Sequence, residues 1–265
     1  MKMELDIYDY LAVGEQTARE AGKILLDYLG KIHVREKGRA DLVTEADFAS
    51  QEKVKEMLLA AFPAHGILGE EDIPGTSAKG GPDVYRWIVD PLDGTTNYVH
   101  SFPNFAVSLA LEFDSEMQVG IIYAPMTQEC FTAVRGGGAF LNGKPIRTSG
   151  ETGVEKSLVA VGFPPGASSV SPDVRAFMNV LPCVHAIRRT GSTAMNLAFT
   201  ACGRLDASWN FGTKPWDVAA GTLLVREAGG SVRNIYGGPF CVDDGHFLAA
   251  GTECLQENFQ KLIRE

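Results

Sequence analysis

Two aspartates separated by Pro91 and Leu92 and followed by a Gly-Thr-Thr turn are the residues best suited to chemistry, within WIVDPLDGTTNYV at 87–99. Trp87, Ile88 and Val89 read as the end of a buried strand. A proline cannot continue a ladder, so Asp90 is predicted where a sheet stops and ligands bind. Asp93 then falls at a helix N-cap, with Gly94 and the amides after it presenting N–H donors suited to a phosphate. Two carboxylates beside such an anion hole would repel a phosphate. A bound cation resolves the conflict, because hard divalent ions take carboxylate and carbonyl oxygens, here including the Leu92 carbonyl that a proline turn leaves unpaired. The pattern predicts metal-assisted phosphate chemistry.

Further acids stand at the borders of other apolar segments. Glu70 and Glu71 follow an apolar run and Gly69, a place that suits a metal ligand at a strand end or a solvated surface pair. Asp47 forms a capping-box pattern with Thr44. Asp217 follows Pro215 and Trp216 at a helix start, where a carboxylate complements the helix dipole by about 0.3 to 1 kcal/mol. Thr95 and Thr96 suit turn hydroxyls. Each has a structural role that suffices alone, yet three apolar segments ending in acids, one with an anion-ready turn, point jointly to a site. The spacing D-x-x-D-G-T is one residue longer than the D-x-D-G-T of haloacid-dehalogenase-type phosphatases, whose two acids must reach one phosphate. Pro91 plus Leu92 favours a metal-binding carbonyl over an aspartyl nucleophile.

The elements that must position these residues follow from periodicity. Residues 5–29 carry apolar side chains at helical spacing, Gly30 ends that helix, and 35–41 reads as a short charged loop able to close over a site. An amphipathic helix runs from the Thr44 cap through Ala61, and 67–71 is a strand ending in acids. Strand-like runs at 105–113, 119–123 and 130–134, without helices between them, predict an antiparallel meander that closes at the Asn142-Gly143 hairpin. After Gly150 the rhythm alternates. Strands at 158–161, 186–189 and 205–209 and near Val232 and Phe247 interleave with helices from Ser171-Pro172, from Ser192, over 215–228 and through Ile263. This predicts an α+β chain with two subdomains, 1–148 mainly antiparallel with helices and 149–265 a smaller α/β unit.

Composition narrows the classes of partner. The 265 residues carry a net charge of −9 and no basic run beyond Arg188-Arg189, so a nucleic-acid footprint is missing. No apolar stretch approaches the roughly 20 residues of a membrane span, and MKMELDIYDY has acids where a secretion signal has basic residues. A cytoplasmic protein is expected. Five widely spaced cysteines without a C-x-x-C pair predict reduced, mostly buried thiols, and the five histidines lack the i, i+4 spacing of a zinc helix.

With those residues in place, the chain resembles the inositol monophosphatase family, within the magnesium-dependent, lithium-sensitive phosphatases. The resemblance spans nearly the whole length through DLVTEAD (41–47), GEED (69–72), WIVDPLDGTTNYVH (87–100), RRTGSTAMNLAFTACGRLDA (188–207) and KPWDVAAGTLLVREAGG (214–230). It implies a layered αβαβα sandwich, usually homodimeric. By position it implies that Glu70, Asp90 and the Leu92 carbonyl hold a first Mg²⁺, that Asp90, Asp93 and Asp217 hold a second, and that a third, weaker ion leans on Glu70. Mn²⁺ is an expected substitute. Thr95 and Asp47 would orient and help deprotonate a metal-bound water for in-line attack without a phosphoenzyme, while the Gly94 and Thr95 amides hold phosphate oxygens.

The substrate side departs from the family pattern. Seven residues before the last metal aspartate the family commonly has a glutamate that bonds inositol hydroxyls; here it is Asn210, shorter and uncharged. Asp93, Thr193, Asn210 and Asp217 are the expected substrate contacts, and Lys37 is the nearest match to the lysine of the mobile loop. The expected activity is Mg²⁺-dependent hydrolysis of a small polyol phosphate, myo-inositol 1-phosphate first. Histidinol-phosphate phosphatase or fructose-1,6-bisphosphatase activity is the alternative on the same scaffold. A non-catalytic regulatory or binding protein that keeps the fold is the alternative of another class.

Overall fold

A computed structural model describes residues 6–31, 34–38, 41–72, 83–164 and 166–264. The chain opens with α1 (Ile7–Tyr28), capped by Asp6 and Asp9 in a reciprocal capping box and burying one stripe through Tyr10, Thr17, Ala18, Ala21 and Leu25. Residues expected as a loop instead form the antiparallel pair β1 (Val34–Gly38) and β2 (Asp41–Thr44), in register from Val34 opposite Thr44. Lys37 lies on β1, and its side chain is outside the described residues. Thr44 then caps α2 (Glu45–Ala61).

Seven strands follow as one sheet in the order of the chain: β3 (Gly66–Gly69), β4 (Arg86–Asp93), β5 (Ala106–Phe113), β6 (Glu116–Ala124), β7 (Glu129–Val134), β8 (Gly138–Leu141) and β9 (Lys144–Pro145). β3 runs parallel to β4, and every later pairing is antiparallel. The Asn142-Gly143 turn between β8 and β9 has both residues at positive φ, 48° and 75°, as a two-residue hairpin of this sequence requires. Side chains alternate across the sheet with the period of a strand. Trp87, Val89, Val107, Leu109 and Leu111 pack with α1 and α2, whereas Ile88, Ala106 and Ala110 face the opposite layer.

That opposite layer is a pair of helices, α5 (Thr193–Ala201) and α6 (Pro215–Glu227). Eight consecutive residues of α6, from Val218 to Val225, are buried, as expected of a helix covered on all sides. Small residues let it approach. A Cβ on Gly120 of β6 would stand 2.8 Å from the Ala220 carbonyl oxygen. Beyond this layer a second sheet has the order β11 (Ala186–Arg188), β10 (Leu158–Val161), β12 (Ala207–Phe211), β14 (His246–Ala250) and β13 (Ser231–Arg233). β10 pairs in parallel with both neighbours, while β14 runs antiparallel to β12 and β13. The helices α4 (Pro172–Val180) and α7 (Glu253–Arg264) close the outside through Ala176, Val180, Leu255 and Phe259. The layers are therefore αβαβα, with three apolar cores, one beneath each outer helix layer and a central one that wraps both faces of α5 and α6.

Two local expectations are corrected. β4 does not stop at Pro91: a bulge between Asp90 and Asp93 takes the proline out of register, and pairing resumes with Asp93 opposite Ala106. The cysteines are all free, but only Cys130 is buried, while Cys241 and Cys254 are exposed. No helix among the described residues is long and apolar enough to cross a membrane.

Candidate active site

The bulge in β4 delivers Asp93 to a cleft of about 570 Å³, bordered also by Glu70, the Gly94–Thr96 turn, the first turn of α5 and Asp217, while Asp90 and Leu92 on the same bulge are buried. Asp93 is not an N-cap for the helix after it. That short helix, α3 (Thr95–Val99), is capped by Gly94 at φ 94°, a conformation glycine adopts without strain, and no side chain caps it. Asp93 instead receives the start of α5: Ser192 Oγ donates to Oδ2 at 2.5 Å, the Ala194 amide to Oδ2 at 2.7 Å and the Thr193 amide to Oδ1 at 3.2 Å. A carboxylate at a helix N-terminus is favourable for the dipole as well as for these donors. This contact ties the two halves of the sandwich together at the cleft.

The other aspartates of the site are each held by a nearby amide. Asp90 Oδ1 accepts from the Leu92 amide at 3.0 Å. Asp217, at the third position of α6, accepts from the Lys214 amide through Oδ2 at 2.7 Å. Asp47 does the same at the start of α2, where Oδ2 accepts from the Thr44 amide at 2.8 Å and the Thr44 hydroxyl at 2.6 Å. Its Oδ1 then faces the Thr95 hydroxyl at 3.4 Å, and that hydroxyl lies 3.2 Å from the Leu92 carbonyl oxygen. The structural role of Asp47 and its aim at the site are therefore compatible. Glu70 follows β3 in a tight turn, with its amide bonded to the Val89 carbonyl at 3.1 Å and the preceding Gly69 amide to Asp72 at 2.9 Å. Gln51 braces the same turn by accepting from the Glu71 amide at 3.0 Å.

These carboxylates raise one another's affinity for protons. Burial first, then the charges of Glu70, Asp93 and Asp217, pushes Asp90 well above the ordinary carboxylate range. Burial likewise raises Asp217 to about 7, with Asp93 adding repulsion and the Lys214 amide opposing it. Asp93 is raised by burial against the donors from Ser192 and the α5 amides. Among the described residues no three acid, histidine or cysteine side chains already form an ion's cage. The four carboxylates sense one another through space without closing. Their chemistry nevertheless fits a hard divalent cation, since the donors are carboxylate and carbonyl oxygens and a positive charge would relieve their mutual repulsion.

The expected substrate residues line the same cleft. Thr193 Oγ1 accepts from Asn210 Nδ2 at 3.1 Å, and Asn210 Oδ1 accepts from the Gly162 amide at 2.8 Å. Asn210 is thus a clamp joining the end of β10 to the start of α5. Sequence reading missed the partners that hold the site: Ser50, whose hydroxyl donates to the Pro91 carbonyl at 2.8 Å, and Asn97 and Asn104, whose amides hold the Thr190 carbonyl at 2.8 and 3.1 Å. Asn97 lay inside a motif, but nothing local pairs it with a residue far along the chain.

The chain belongs to the inositol monophosphatase family, whose sequence profile matches residues 6–265. It is 43% identical over 267 residues to inositol monophosphatase 2 of Solanum lycopersicum, covering 97% of this chain and 98% of that one. It is also 39% identical over 252 residues to a Pseudomonas aeruginosa protein named Nus factor SuhB, covering 93% of each. The crystal structure of extragenic suppressor protein suhB from Bartonella henselae superimposes with a TM-score of 0.91 at 37% identity, covering 97% of this chain and 99% of that one.

Proposed function

We propose that the chain is a Mg²⁺-dependent phosphomonoesterase that hydrolyses a small polyol phosphate, with myo-inositol 1-phosphate as its first substrate. The observation that carries this reading is that Glu70, Asp93 and Asp217 border one cleft beside the Gly94 turn, with buried Asp90 near enough to feel the charge of all three. Two to three magnesium ions, replaceable by manganese and held by those acids and the Leu92 carbonyl, would neutralise phosphate charge and acidify water. The Gly94 and Thr95 amides, which have no acceptor inside so short a helix, hold phosphate oxygens. Thr95 Oγ1 orients the attacking water and Asp47 takes its proton, along the 3.4 Å contact between them. A bond forms from the water oxygen to phosphorus as the opposite phosphorus–oxygen bond breaks; the leaving alkoxide takes a proton from solvent water, and Asp47 returns its own to solvent.

Phosphate release from purified protein with Mg²⁺ tests this, using myo-inositol 1-phosphate, histidinol phosphate and fructose 1,6-bisphosphate side by side. Turnover of the first, abolished by chelation, is expected. The Nus factor name of the Pseudomonas relative motivates a second reading, a regulatory binding protein that keeps the fold. Absence of turnover across the panel would favour it.

A further inference from the structure

A second cavity, of about 560 Å³, lies apart from the cleft and nearly matches it in size. Two elements run between them. β4 brings Arg86 to this cavity and Asp93 to the cleft, about 20 Å apart along a strand. α6 carries Asp217 in its first turn and Leu223, Arg226 and Glu227 in its last two. The hydrolysis described above uses no residue of this second cavity.

Its bed is apolar, since Met117, Leu223 and Phe240 line it as buried side chains. The acids around that bed are already engaged. Glu112 accepts from two nitrogens of Arg86 at 2.8 and 2.6 Å, and Glu116 pairs with Arg135 at 2.5 Å. Glu227 accepts the Gly136 and Gly138 amides at 2.8 and 2.9 Å, one oxygen to each. Asp243 is exposed, where water serves it.

Arg226 is different. No carboxylate among the described residues pairs with it, and the neighbouring charge it feels is another cation. Burial first, and then Arg135, holds its pKa below the ordinary arginine value. A guanidinium keeps its proton at any ordinary pH, so the two like charges persist until an anion comes between them. Both arginines are open to solvent, so a ligand can reach them. The Arg135–Glu116 pair is about half exposed on each side, 48% and 55%, and such a pair is worth little, which leaves Arg135 able to turn toward a ligand. Its backbone is fixed by its amide, bonded to the Gln118 carbonyl at 2.9 Å, and by the hold of Glu227 on the turn that follows.

We infer that this cavity is a ligand site separate from the catalytic cleft, in which Arg226 and Arg135 hold the carboxylate of a small organic acid whose apolar body lies on Met117, Leu223 and Phe240. One unpaired positive charge matches a monoanion better than a phosphate dianion. An inorganic anion would leave the apolar bed wet, and a neutral apolar molecule would leave the arginines facing each other.

Cys241 lines the cavity as an exposed free thiol, whereas Cys254 is an exposed free thiol outside it. Alkylation of Cys241, compared with Cys254 by mass spectrometry of the digested protein, therefore reports occupancy of this cavity. The probes are 2-naphthoate, 2-naphthamide with the same body and no charge, and acetate with the same charge and no such body. Chelator is present throughout, so that no metal draws a carboxylate to the acidic cleft. Millimolar 2-naphthoate should slow Cys241 alkylation by about fivefold or more and leave Cys254 unchanged, while the amide and acetate should slow it by less than about twofold. The concentration giving half protection should rise by about tenfold in Arg226→Gln, the size of a charge-assisted contact. It should rise less in Arg226→Lys, which keeps the charge without the planar fork, and less also in Arg135→Gln. An unchanged Cys254 rate shows that each variant is folded. No protection of Cys241 by 2-naphthoate, equal protection by 2-naphthamide, or an affinity that survives Arg226→Gln would overturn the site.

Discussion

The floor and the outer wall of the cleft are built by opposite rules. In and behind the floor, Asp47, Asp90, Asp93 and Asp217 each accept at least one backbone amide, so their orientation is set before any ligand arrives. On the wall, Arg189 has no carboxylate partner among the described residues and the Thr213 hydroxyl has no bond there. The floor carries strain as charge: carboxylates are packed where burial and repulsion push Asp217 to about 7. The wall carries an exposed guanidinium, which water can serve, and one hydroxyl sealed from solvent. Fixed acids suit a demanding step, whereas an exposed guanidinium that no carboxylate holds suits discrimination among ligands, because its bonds form only with the one that reaches it.

The severest way to break this contrast is Asp90→Asn. The amide oxygen can still accept from Leu92, so the turn survives, but the charge that faces Glu70, Asp93 and Asp217 is gone. Phosphate release should fall by at least about a hundredfold, as for loss of a preorganised electrostatic group. With chelator present, the melting temperature should rise, because a buried like-charge neighbour has been removed. Full activity would refute the electrostatic role of the floor. Ser192→Ala is milder. It removes the donor to Asp93 and the cap accepting from the Met195 amide at 3.2 Å, at a cost of about 1 kcal/mol. Denaturant unfolding should show that loss, and kcat should fall by about tenfold as Asp93 loosens. An unaffected kcat would mean that the α5 amides alone hold Asp93.

Asn210→Glu sharpens the comparison at the boundary between floor and wall. The longer carboxylate loses the donor to Thr193 and crowds Gly162, where the present side chain lies within 2.1 Å of a Cβ position. The expected outcome is a KM raised by a few-fold, about the worth of one hydrogen bond, for every phosphomonoester tested. A gain confined to inositol phosphate would show that position 210 addresses the alcohol directly.

What was legible beforehand was what is local. The Thr44–Asp47 capping box, the Asn142-Gly143 turn and the apolar run of α6 are fixed by neighbours a few residues apart, and the structure contains all three. Asp93 shows where that reading fails. Its position before a Gly-Thr-Thr helix start suggested an N-cap, yet its partners come from Ser192, 99 residues on, and no local pattern encodes that choice. Pro91 misled in the same way: a bulge, invisible to strand periodicity, lets β4 continue past the proline and carry Asp93 to the cleft. The segment expected as a loop at 35–41 contributes to β1 and β2 because strand pairing depends on the facing strand more than on the charged composition.

The smallest expected effect lies outside the cleft and serves as its control. His65 stacks between Phe62 and Tyr85, at 4.8 and 5.0 Å, and its Nδ1 accepts from Trp87 Nε1 at 3.2 Å. Burial lowers its pKa below the ordinary value of 6.5. Between that value and the folded pKa, the unfolded chain binds a proton that the folded protein refuses, so stability rises with pH there. The contribution is fully present above about pH 6.5 and is lost as the solution is acidified toward the folded pKa. Partial exposure keeps the effect modest through solvent screening. His65→Gln retains an acceptor for Trp87 without titrating, so its melting temperature should fall less steeply than that of the native protein between about pH 6.5 and 5. Parallel curves would show that acid sensitivity comes from elsewhere. A matching shift in the pH profile of phosphate release would show that this remote aromatic cluster communicates with the floor.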